Sequence, residues 1–151
     1  MNMRVEKMPK SRIAYVRQVG PYGPGNDKAM ELIKNWAGER KLIEKGIILG
    51  IAQDNPNTTA PEECRYDACI VIPDDFTVDD SVCEAELPGG KYAICKVKHT
   101  ADEIHRAWAE IFPALNAIGY QVVSRPMIER YTEDLVMNGY CELCVPIKLL
   151  L

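Results

Sequence analysis

The chain has 151 residues, of which 47% are hydrophobic and 26% charged, and its formal net charge at pH 7 is −4. This composition is typical of one globular domain and gives no support to nucleic-acid binding, which usually needs a basic face to release counterions from phosphates. No apolar run approaches the roughly 20 residues that span a bilayer, and the N-terminus lacks the apolar stretch of a secretion signal. We therefore expect a cytoplasmic protein with no membrane partner and no direct nucleic-acid partner.

Residue types that commonly hold metals or form disulfides are present but poorly placed. Without a secretion signal, the six cysteines are expected to stay reduced and to pack as small apolar residues. Cys141 and Cys144 form a CxxC motif, but in a strand-like segment positions three apart point to opposite faces. His99 and His105 have no second ligand group at metal spacing. We therefore predict no metal and no cofactor.

The first half of the chain alternates between strand-like and helical patterns. Residues 2–8 and 11–19 are predicted strands on either side of a turn at Pro9. Apolar residues then recur at helical spacing around Trp36, with Asn26 or Asp27 as a candidate N-cap and an end before Gly46. Two further strands are predicted over residues 47–52 and 66–72, with a polar loop between them.

An acidic segment, residues 73–80, then connects the two halves. Its composition predicts an exposed linker within one domain. Beyond it, residues 83–87 and 91–98 are both strand-like and are separated by Pro88-Gly89-Gly90. We predict that they pair as a hairpin across this turn.

The second predicted helix has the strongest apolar periodicity in the chain. It starts with a capping-box pattern, Thr100-Ala101-Asp102-Glu103, and is centred on Trp108. Pro113 should kink or shorten its last turns, and Gly119 is a natural C-cap. Two strands, over about residues 120–131 and 139–147, are predicted to follow.

Both halves thus follow the same order of elements, ββαββ, with corresponding elements roughly 75 to 79 residues apart. We predict a single domain over residues 1–151 with an internal repeat, residues 1–73 and 83–147. The fold class is α+β: a pseudo-twofold antiparallel sheet with both helices on one face. The other face should be open and should form a central ligand groove.

Strand alternation identifies candidate ligand contacts. In the last strand Leu143, Val145 and Ile147 share the face expected beneath the helices, so that Tyr140 and Glu142 lie on the opposite face. In the preceding strand Met127, Glu129 and Tyr131 share one face. We predict that both glutamates, with Tyr131 and Tyr140, converge on the open face.

Simpler structural roles fit the same residues. A glutamate on a strand is commonly solvated, and Met127 equally fits simple packing. Trp36 and Trp108 lie on apolar helix stripes, where core packing is commoner than ligand stacking. The weaker groove candidates are Tyr15, Tyr66 and Tyr22, the last of which either covers one end of the groove or lies in a surface loop.

Several short motifs occur in a fixed order along the chain. They are Gly20-Pro21-Tyr22, Asp54-Asn55-Pro56, Tyr66-Asp67, Gly89-Gly90-Lys91-Tyr92-Ala93, the segment from Arg125 to Tyr131, and Tyr140-Cys141-Glu142-Leu143. In this order they resemble the GyrI-like family. That family includes DNA gyrase inhibitor proteins and the effector-binding domains of AraC-type and MerR-type multidrug regulators.

The resemblance implies two SHS2 modules and a central groove for lipophilic, often cationic, small molecules. The family pattern Pro-x-x-Glu-x-Tyr corresponds to Pro126, Glu129 and Tyr131, which implies that Glu129 is the groove carboxylate. The resemblance identifies Glu142 as a groove residue less directly. The complete set of predicted ligand contacts is Glu129, Glu142, Tyr131, Met127, Tyr140, Tyr66, Trp108 and Tyr22.

Three functions remain open from the sequence. The first is a free-standing module that binds lipophilic, cationic or electrophilic drugs beside Glu129, without an appended DNA-binding domain. The second, which also follows from the resemblance, is a hydrolase that opens the cyclopropane of alkylating drugs, with Glu129 as base and Glu142 or Tyr131 assisting proton transfer. The third is an inhibitor that contacts a protein partner such as DNA gyrase.

Overall fold

The computed structural model describes residues 2–44 and 46–150. In these residues three α-helices and a nine-stranded antiparallel sheet form a mixed α+β fold, which confirms the predicted α+β class and the antiparallel sheet. The elements are β1 (Met3–Met8), β2 (Ser11–Val19), α1 (Pro24–Glu39), β3 (Ile48–Ala52), β4 (Arg65–Ile72), β5 (Cys83–Leu87), β6 (Gly90–Lys98), α2 (Ala101–Ala117), β7 (Tyr120–Val122), β8 (Ile128–Tyr131), α3 (Glu133–Met137) and β9 (Tyr140–Leu149). A short 3₁₀ helix, Pro61–Glu63, precedes β4. None of the described helices is long and apolar enough to cross a membrane.

The strand order is β1-β6-β9-β8-β3-β4-β2-β5, with β7 pairing separately with β9. The predicted hairpin between residues 83–87 and 91–98 is therefore wrong, because β5 pairs with β2 and β6 pairs with β1. Residues before a proline favour extended backbone. The chain therefore stays extended at Pro9 and Pro88, and the two strands on either side of each proline pair with other strands rather than with each other. The two connections cross closely: a Cβ on Gly89 would lie 2.7 Å from the Met8 carbonyl oxygen.

Helix α1 packs on the first half of the sheet through buried Ala29, Ile33 and Trp36. The predicted N-cap at Asn26 or Asp27 is wrong, because the helix starts earlier, at Pro24 after Gly23. Gly23 has φ +140°, a conformation that favours glycine, and a proline at the first helical position is already set to a helical φ. Sequence periodicity located the helix, but local backbone chemistry determined its first residue.

Helix α2 packs on β6 and β9 through Ala107, Ile111 and Leu115. Its predicted cap is present, since the Thr100 hydroxyl accepts a hydrogen bond from the Glu103 backbone N–H at 3.2 Å. The expected shortening at Pro113 does not occur, and the helix continues to Ala117. Pro113 lies on the exposed side, and burial of Ile111 and Leu115 on the sheet outweighs the missing hydrogen bond.

The region after α2 is divided more finely than the sequence indicated. The predicted strand over residues 120–131 is two strands, β7 and β8, which pair with different parts of β9. The short helix α3 between β8 and β9 was not predicted, although Thr132 caps it by accepting a hydrogen bond from the Leu135 N–H at 3.4 Å. These two changes place Tyr131 at the end of a strand, directly before a helix.

The sheet face opposite the helices is not open, which corrects the predicted position of the groove. This face carries its own apolar core, formed by Ile13, Leu49, Ile51, Cys69, Leu87, Tyr92, Ile94, Ile128 and Cys144. Apolar side chains therefore alternate onto both faces of the central strands, and both faces are buried there. A cavity is found instead on the helix face, lined by residues of α1, β3, β4, β8 and α3.

The acidic segment between the halves is more than an exposed linker. Phe76 packs edge-on against Trp36, with ring centroids 5.9 Å apart, and Asp79 accepts a hydrogen bond from the Trp36 indole N–H at 3.4 Å. The Arg12 guanidinium also donates to the carbonyls of Asp74 and Phe76. The aspartates remain exposed while the apolar residues of the segment pack against α1.

Candidate functional site

A cavity of about 730 Å³ lies on the helix face of the sheet. Its floor is made by side chains of the central strands, and its walls come from the first turns of α1, the segment after α1, and α3. The lining residues are Gly23, Asn26, Asp27, Met30, Lys34, Ile43, Glu44, Gly46, Ile48, Tyr66, His99, Glu129, Tyr131, Thr132, Glu133 and Val136. The volume suits a drug-sized organic molecule.

Glu129 is held in this floor by two neutral hydrogen-bond donors. The Tyr131 hydroxyl donates to Oε2 at 2.6 Å, and the Trp108 indole N–H donates to Oε1 at 3.3 Å. Tyr131 stands two residues further along β8 and so lies on the same face, while Trp108 reaches across from α2. The two donors fix the orientation of the carboxylate and bring no positive charge.

The two buried carboxylates among the described residues are both paired with arginine. Asp67 binds Arg17 at 2.7 Å, and Glu142 binds Arg130 at 2.9 Å. In residues 2–44 and 46–150, no Lys, Arg or His side-chain nitrogen lies within 4 Å of the Glu129 carboxylate oxygens. Within the part of the chain that the structure describes, the cavity therefore contains a carboxylate whose charge has no local partner.

Tyr131 connects the carboxylate to the rim of the cavity. Burial raises the pKa of the Tyr131 phenol, and the negative charge of Glu129 raises it further. The phenol therefore remains protonated at neutral pH and continues to donate to Glu129. On its other side the ring lies against the exposed His99, with ring centroids 5.1 Å apart.

Tyr66 completes the floor from β4, and only 7% of its surface is exposed. The ring lies over Gly50 of β3, and a Cβ on Gly50 would be 2.3 Å from the Tyr66 hydroxyl oxygen. Gly50 is in turn the cross-strand partner of Glu129. The missing side chain at Gly50 thus gives the phenol its place beside the carboxylate.

The described walls of the cavity are predominantly acidic. Their carboxylates belong to Asp27, Glu44, Glu133 and Glu129, and the opposing cationic side chains are Lys34 and, when protonated, His99. A concave site with an excess of one charge attracts ligands of the opposite sign. The described lining therefore favours a cationic ligand over an anionic one.

The structure brings together only some of the residues that the sequence indicated. Glu129, Tyr131 and Tyr66 line the cavity, and Trp108 contacts it through its bond to Glu129. Trp108 is half-buried beside Phe112, with ring centroids 6.3 Å apart, so it both packs and supports the carboxylate.

Glu142 does not join Glu129, which corrects the predicted convergence of the two glutamates. Its side chain is 8% exposed on the opposite face of the sheet, where Arg130 and Arg4 bind it. The alternation within each strand was interpreted correctly. The error lay in assuming that one face was open: Ile128 and Arg130 face the second core, so Glu129 faces the helices.

Three further predicted contacts lie outside the cavity lining. Tyr140 stacks with the Lys96 ammonium, 4.5 Å from its ring centroid. The Tyr22 hydroxyl lies within hydrogen-bond distance of the carbonyls of Asp54 and Arg65, at 3.0 and 2.9 Å, which tethers the loop before α1. Met127 is half-buried just before β8 and is absent from the described lining.

Several lining residues gave no signal in the sequence. Asp27 was considered only as an N-cap, Met30 only as part of the apolar stripe of the first helix and His99 only as a metal ligand, because nothing in their spacing indicates a shared cavity. Asn26 is notable because its Oδ1 is buried without a hydrogen-bond partner in the described structure. The described residues include no group of three or more His, Cys, Asp or Glu side chains that could hold a metal ion, and all six cysteines are free thiols.

Comparison with known sequences places this geometry in a family. Residues 1–148 match the family described as GyrI-like small molecule binding domain. The SPbeta prophage-derived protein YosT of Bacillus subtilis is 40% identical over 149 residues, covering 98% of this chain and 100% of that protein. A DNA gyrase inhibitor of Serratia proteamaculans is 31% identical over 148 residues, covering 95% of this chain and 94% of that protein.

Solved structures share the fold at low sequence identity. The C-terminal domain of EcmrR superposes with a TM-score of 0.75 at 12% identity, covering 99% of this chain and 98% of that one. A Listeria innocua hydrolase encoded by lin2189 superposes with a TM-score of 0.69 at 13% identity, covering 97% of this chain and 91% of that one. The structure of SAV2435 bound to tetraphenylphosphonium superposes with a TM-score of 0.62 at 12% identity, covering 98% of this chain and 94% of that one. The sequence match over nearly the whole chain and the shared fold show that this protein belongs to the GyrI-like family of small-molecule-binding domains.

Proposed function

We propose that this protein binds lipophilic cations in the cavity beside Glu129. The single observation that carries the proposal is the Glu129 carboxylate, held in the cavity floor by two neutral donors with no described cation within 4 Å. A bound cation would supply the missing positive charge.

Two kinds of interaction would stabilise a bound cation, one electrostatic and one with aromatic rings. At an effective dielectric constant of about 20, two unit charges about 8 Å apart attract each other by about 2 kcal/mol. The rings of Tyr66 and Tyr131 lie beside the carboxylate and offer dispersion and cation–π contacts to a delocalised cation. The charge of such a cation is spread over a large apolar surface, so the cation loses less hydration on entry than a compact ion would.

The comparisons support this ligand class. SAV2435, which has the same fold, is bound to tetraphenylphosphonium, a cation that consists of a phosphonium centre and four phenyl rings. We also infer that the mirrored strand order reflects one domain built from two SHS2-like halves, with the cavity at their junction. In that arrangement Glu129 belongs to the second half and Tyr66 to the first.

Titration with tetraphenylphosphonium tests the proposal directly. We expect saturable binding at one site by calorimetry, together with a change in tryptophan fluorescence. Because Trp108 donates to Glu129 whereas Trp36 donates to Asp79, the change should persist in Trp36→Phe and disappear in Trp108→Phe. The absence of saturable binding would contradict the proposal, and a signal that depends on Trp36 would place the ligand elsewhere.

A hydrolase is the second candidate, because the Tyr131 hydroxyl lies 2.6 Å from Glu129 and pairs an acid with a base. Glu129 would accept a proton from water as the oxygen adds to a cyclopropane carbon. The electron pair of the broken carbon–carbon bond would pass to a conjugated acceptor in the drug, and Tyr131 would assist protonation. The hydrolase of Listeria innocua shares the fold.

Product analysis separates turnover from binding. Incubation with an alkylating drug that carries an activated cyclopropane should give the ring-opened alcohol if the protein is a hydrolase, and Glu129→Gln should abolish that product. Stoichiometric protection of the drug without an alcohol would instead support binding alone.

DNA gyrase remains a candidate protein partner because of the Serratia relative, but the cavity itself gives no argument for it.

A further inference from the structure

Tyr66 is a buried residue whose hydroxyl has no hydrogen-bond partner in the described structure. The hydroxyls of Tyr22, Tyr92 and Tyr131 all donate to protein oxygens. The Tyr66 side chain is 93% removed from solvent, and it lines the cavity. The hydroxyl oxygen is not fully enclosed by the described residues, so a ligand in the cavity can reach it.

The position of this hydroxyl is fixed by the sheet. It lies directly over Gly50, and Gly50 faces Glu129 across the β3–β8 pair. A phenol and a carboxylate thus stand side by side on the cavity floor, one on each side of the junction between the halves. Any ligand that approaches Glu129 also comes within reach of the Tyr66 hydroxyl.

The phenol is a donor rather than an anion. Burial raises the pKa of Tyr66, and the nearby charge of Glu129 raises it further, so the hydroxyl keeps its proton at neutral pH. The oxygens of Glu129 already accept from Trp108 and Tyr131. No hydrogen bond from Tyr66 to Glu129 or to any other described residue is present, so its proton is free for an acceptor on the ligand.

We propose that Tyr66 is a specificity-determining residue, which donates a hydrogen bond to an acceptor atom carried by the cation. The inference rests on the proposed function and narrows its ligand class. The preferred ligands are lipophilic cations with an ether, carbonyl or hydroxyl oxygen a few bonds from the positive centre. A ligand that covers this hydroxyl without offering an acceptor leaves it unpaired, which is costly, so a cation that lacks the acceptor binds less well.

Two isosteric probes isolate this hydrogen bond. Butyltriphenylphosphonium and (2-methoxyethyl)triphenylphosphonium have the same charge and the same side-chain length, and differ only by an oxygen in place of one methylene. The measurement is the ratio of their two dissociation constants, determined by calorimetry on the wild-type protein and on Tyr66→Phe. Because both probes are measured on the same protein, a general effect of the substitution on the cavity cancels in the ratio.

We expect the ratio to favour the ether probe in the wild type, and this preference to fall about three- to ten-fold in Tyr66→Phe. Tyr140→Phe is the matched control, because its ring lies outside the cavity lining beside Lys96, and it should keep the wild-type ratio. Thermal unfolding of both variants verifies that the fold is intact.

The outcomes separate this inference from the proposed function. If both probes bind and Tyr66→Phe changes the ratio by less than about two-fold, well below a typical hydrogen bond, the role of Tyr66 is overturned while cation binding stands. If neither probe binds the wild-type protein, cation binding fails and the role of Tyr66 fails with it.

Discussion

Glu129→Gln should weaken the binding of tetraphenylphosphonium about thirty-fold, which corresponds to about 2 kcal/mol for charges about 8 Å apart. Glutamine keeps the shape of the side chain and an oxygen that can accept from Tyr131 or Trp108, so the substitution removes mainly the charge. Calorimetric titration of both proteins at the same ionic strength gives the ratio. The loss should appear in affinity, with little change in the midpoint of thermal unfolding.

Glu110→Gln is the control for this prediction. It changes the net charge by the same amount on an exposed position of α2 outside the described cavity lining. Its effect should stay below about two-fold, because solvent screens an exposed charge at this distance. Equal losses in the two variants would mean that the general field of the protein, and not Glu129, attracts the cation.

Arg130→Met should lower the free energy of unfolding by about 3 kcal/mol, because it leaves a buried carboxylate short of its partner. The Glu142 side chain is 8% exposed and would retain only Arg4, which is itself 52% exposed. Urea denaturation measures the loss. Binding of tetraphenylphosphonium should persist in the folded variant, because Arg130 lies on the opposite face of the sheet.

The pH dependence of stability gives this prediction a second readout. The hydrogen bond from Arg130 lowers the pKa of Glu6 below its usual 4.5, against the opposing effect of burial. A lowered pKa contributes stability that is present above pH 4.5 and is lost as the pH falls through the folded-state value. The acid-induced loss of stability should therefore be smaller in Arg130→Met.

Arg106→Met is the matched control for Arg130→Met. Arg106 is 61% exposed and bridges Glu103 on the surface of α2. An exposed pair of this kind contributes at most about 0.5 kcal/mol. If Arg130→Met cost no more than this control, the ion cluster around Glu142 would not be a stabilising feature of the fold.

The sequence predicted the elements better than their partners. Strand alternation and the apolar stripes around Trp36 and Trp108 located the long strands and both long helices, because these signals are local. The exchange of β1 and β5 between the two halves was missed. Pairing is decided by contacts between residues about 80 positions apart, which no turn motif encodes.

The candidate site was predicted in part for a similar reason. Glu129 and Tyr131 were indicated together by alternation and by the Pro-x-x-Glu-x-Tyr resemblance, and the structure places them side by side. Glu142 was assigned to the same face because the second apolar core could not be recognised from single strands. The position of Tyr66 depends on the gap above Gly50, a feature that exists only after β3 and β4 have paired.

We propose that the charge of one carboxylate, Glu129, selects the ligand. Tetraphenylphosphonium and tetraphenylborate have nearly the same shape and opposite charges, so the ratio of their affinities measures this selection directly. We predict that the wild-type protein prefers the cation by at least about a hundred-fold, because reversing the ligand charge turns the attraction into repulsion. Equal affinity for the two ions would contradict the account.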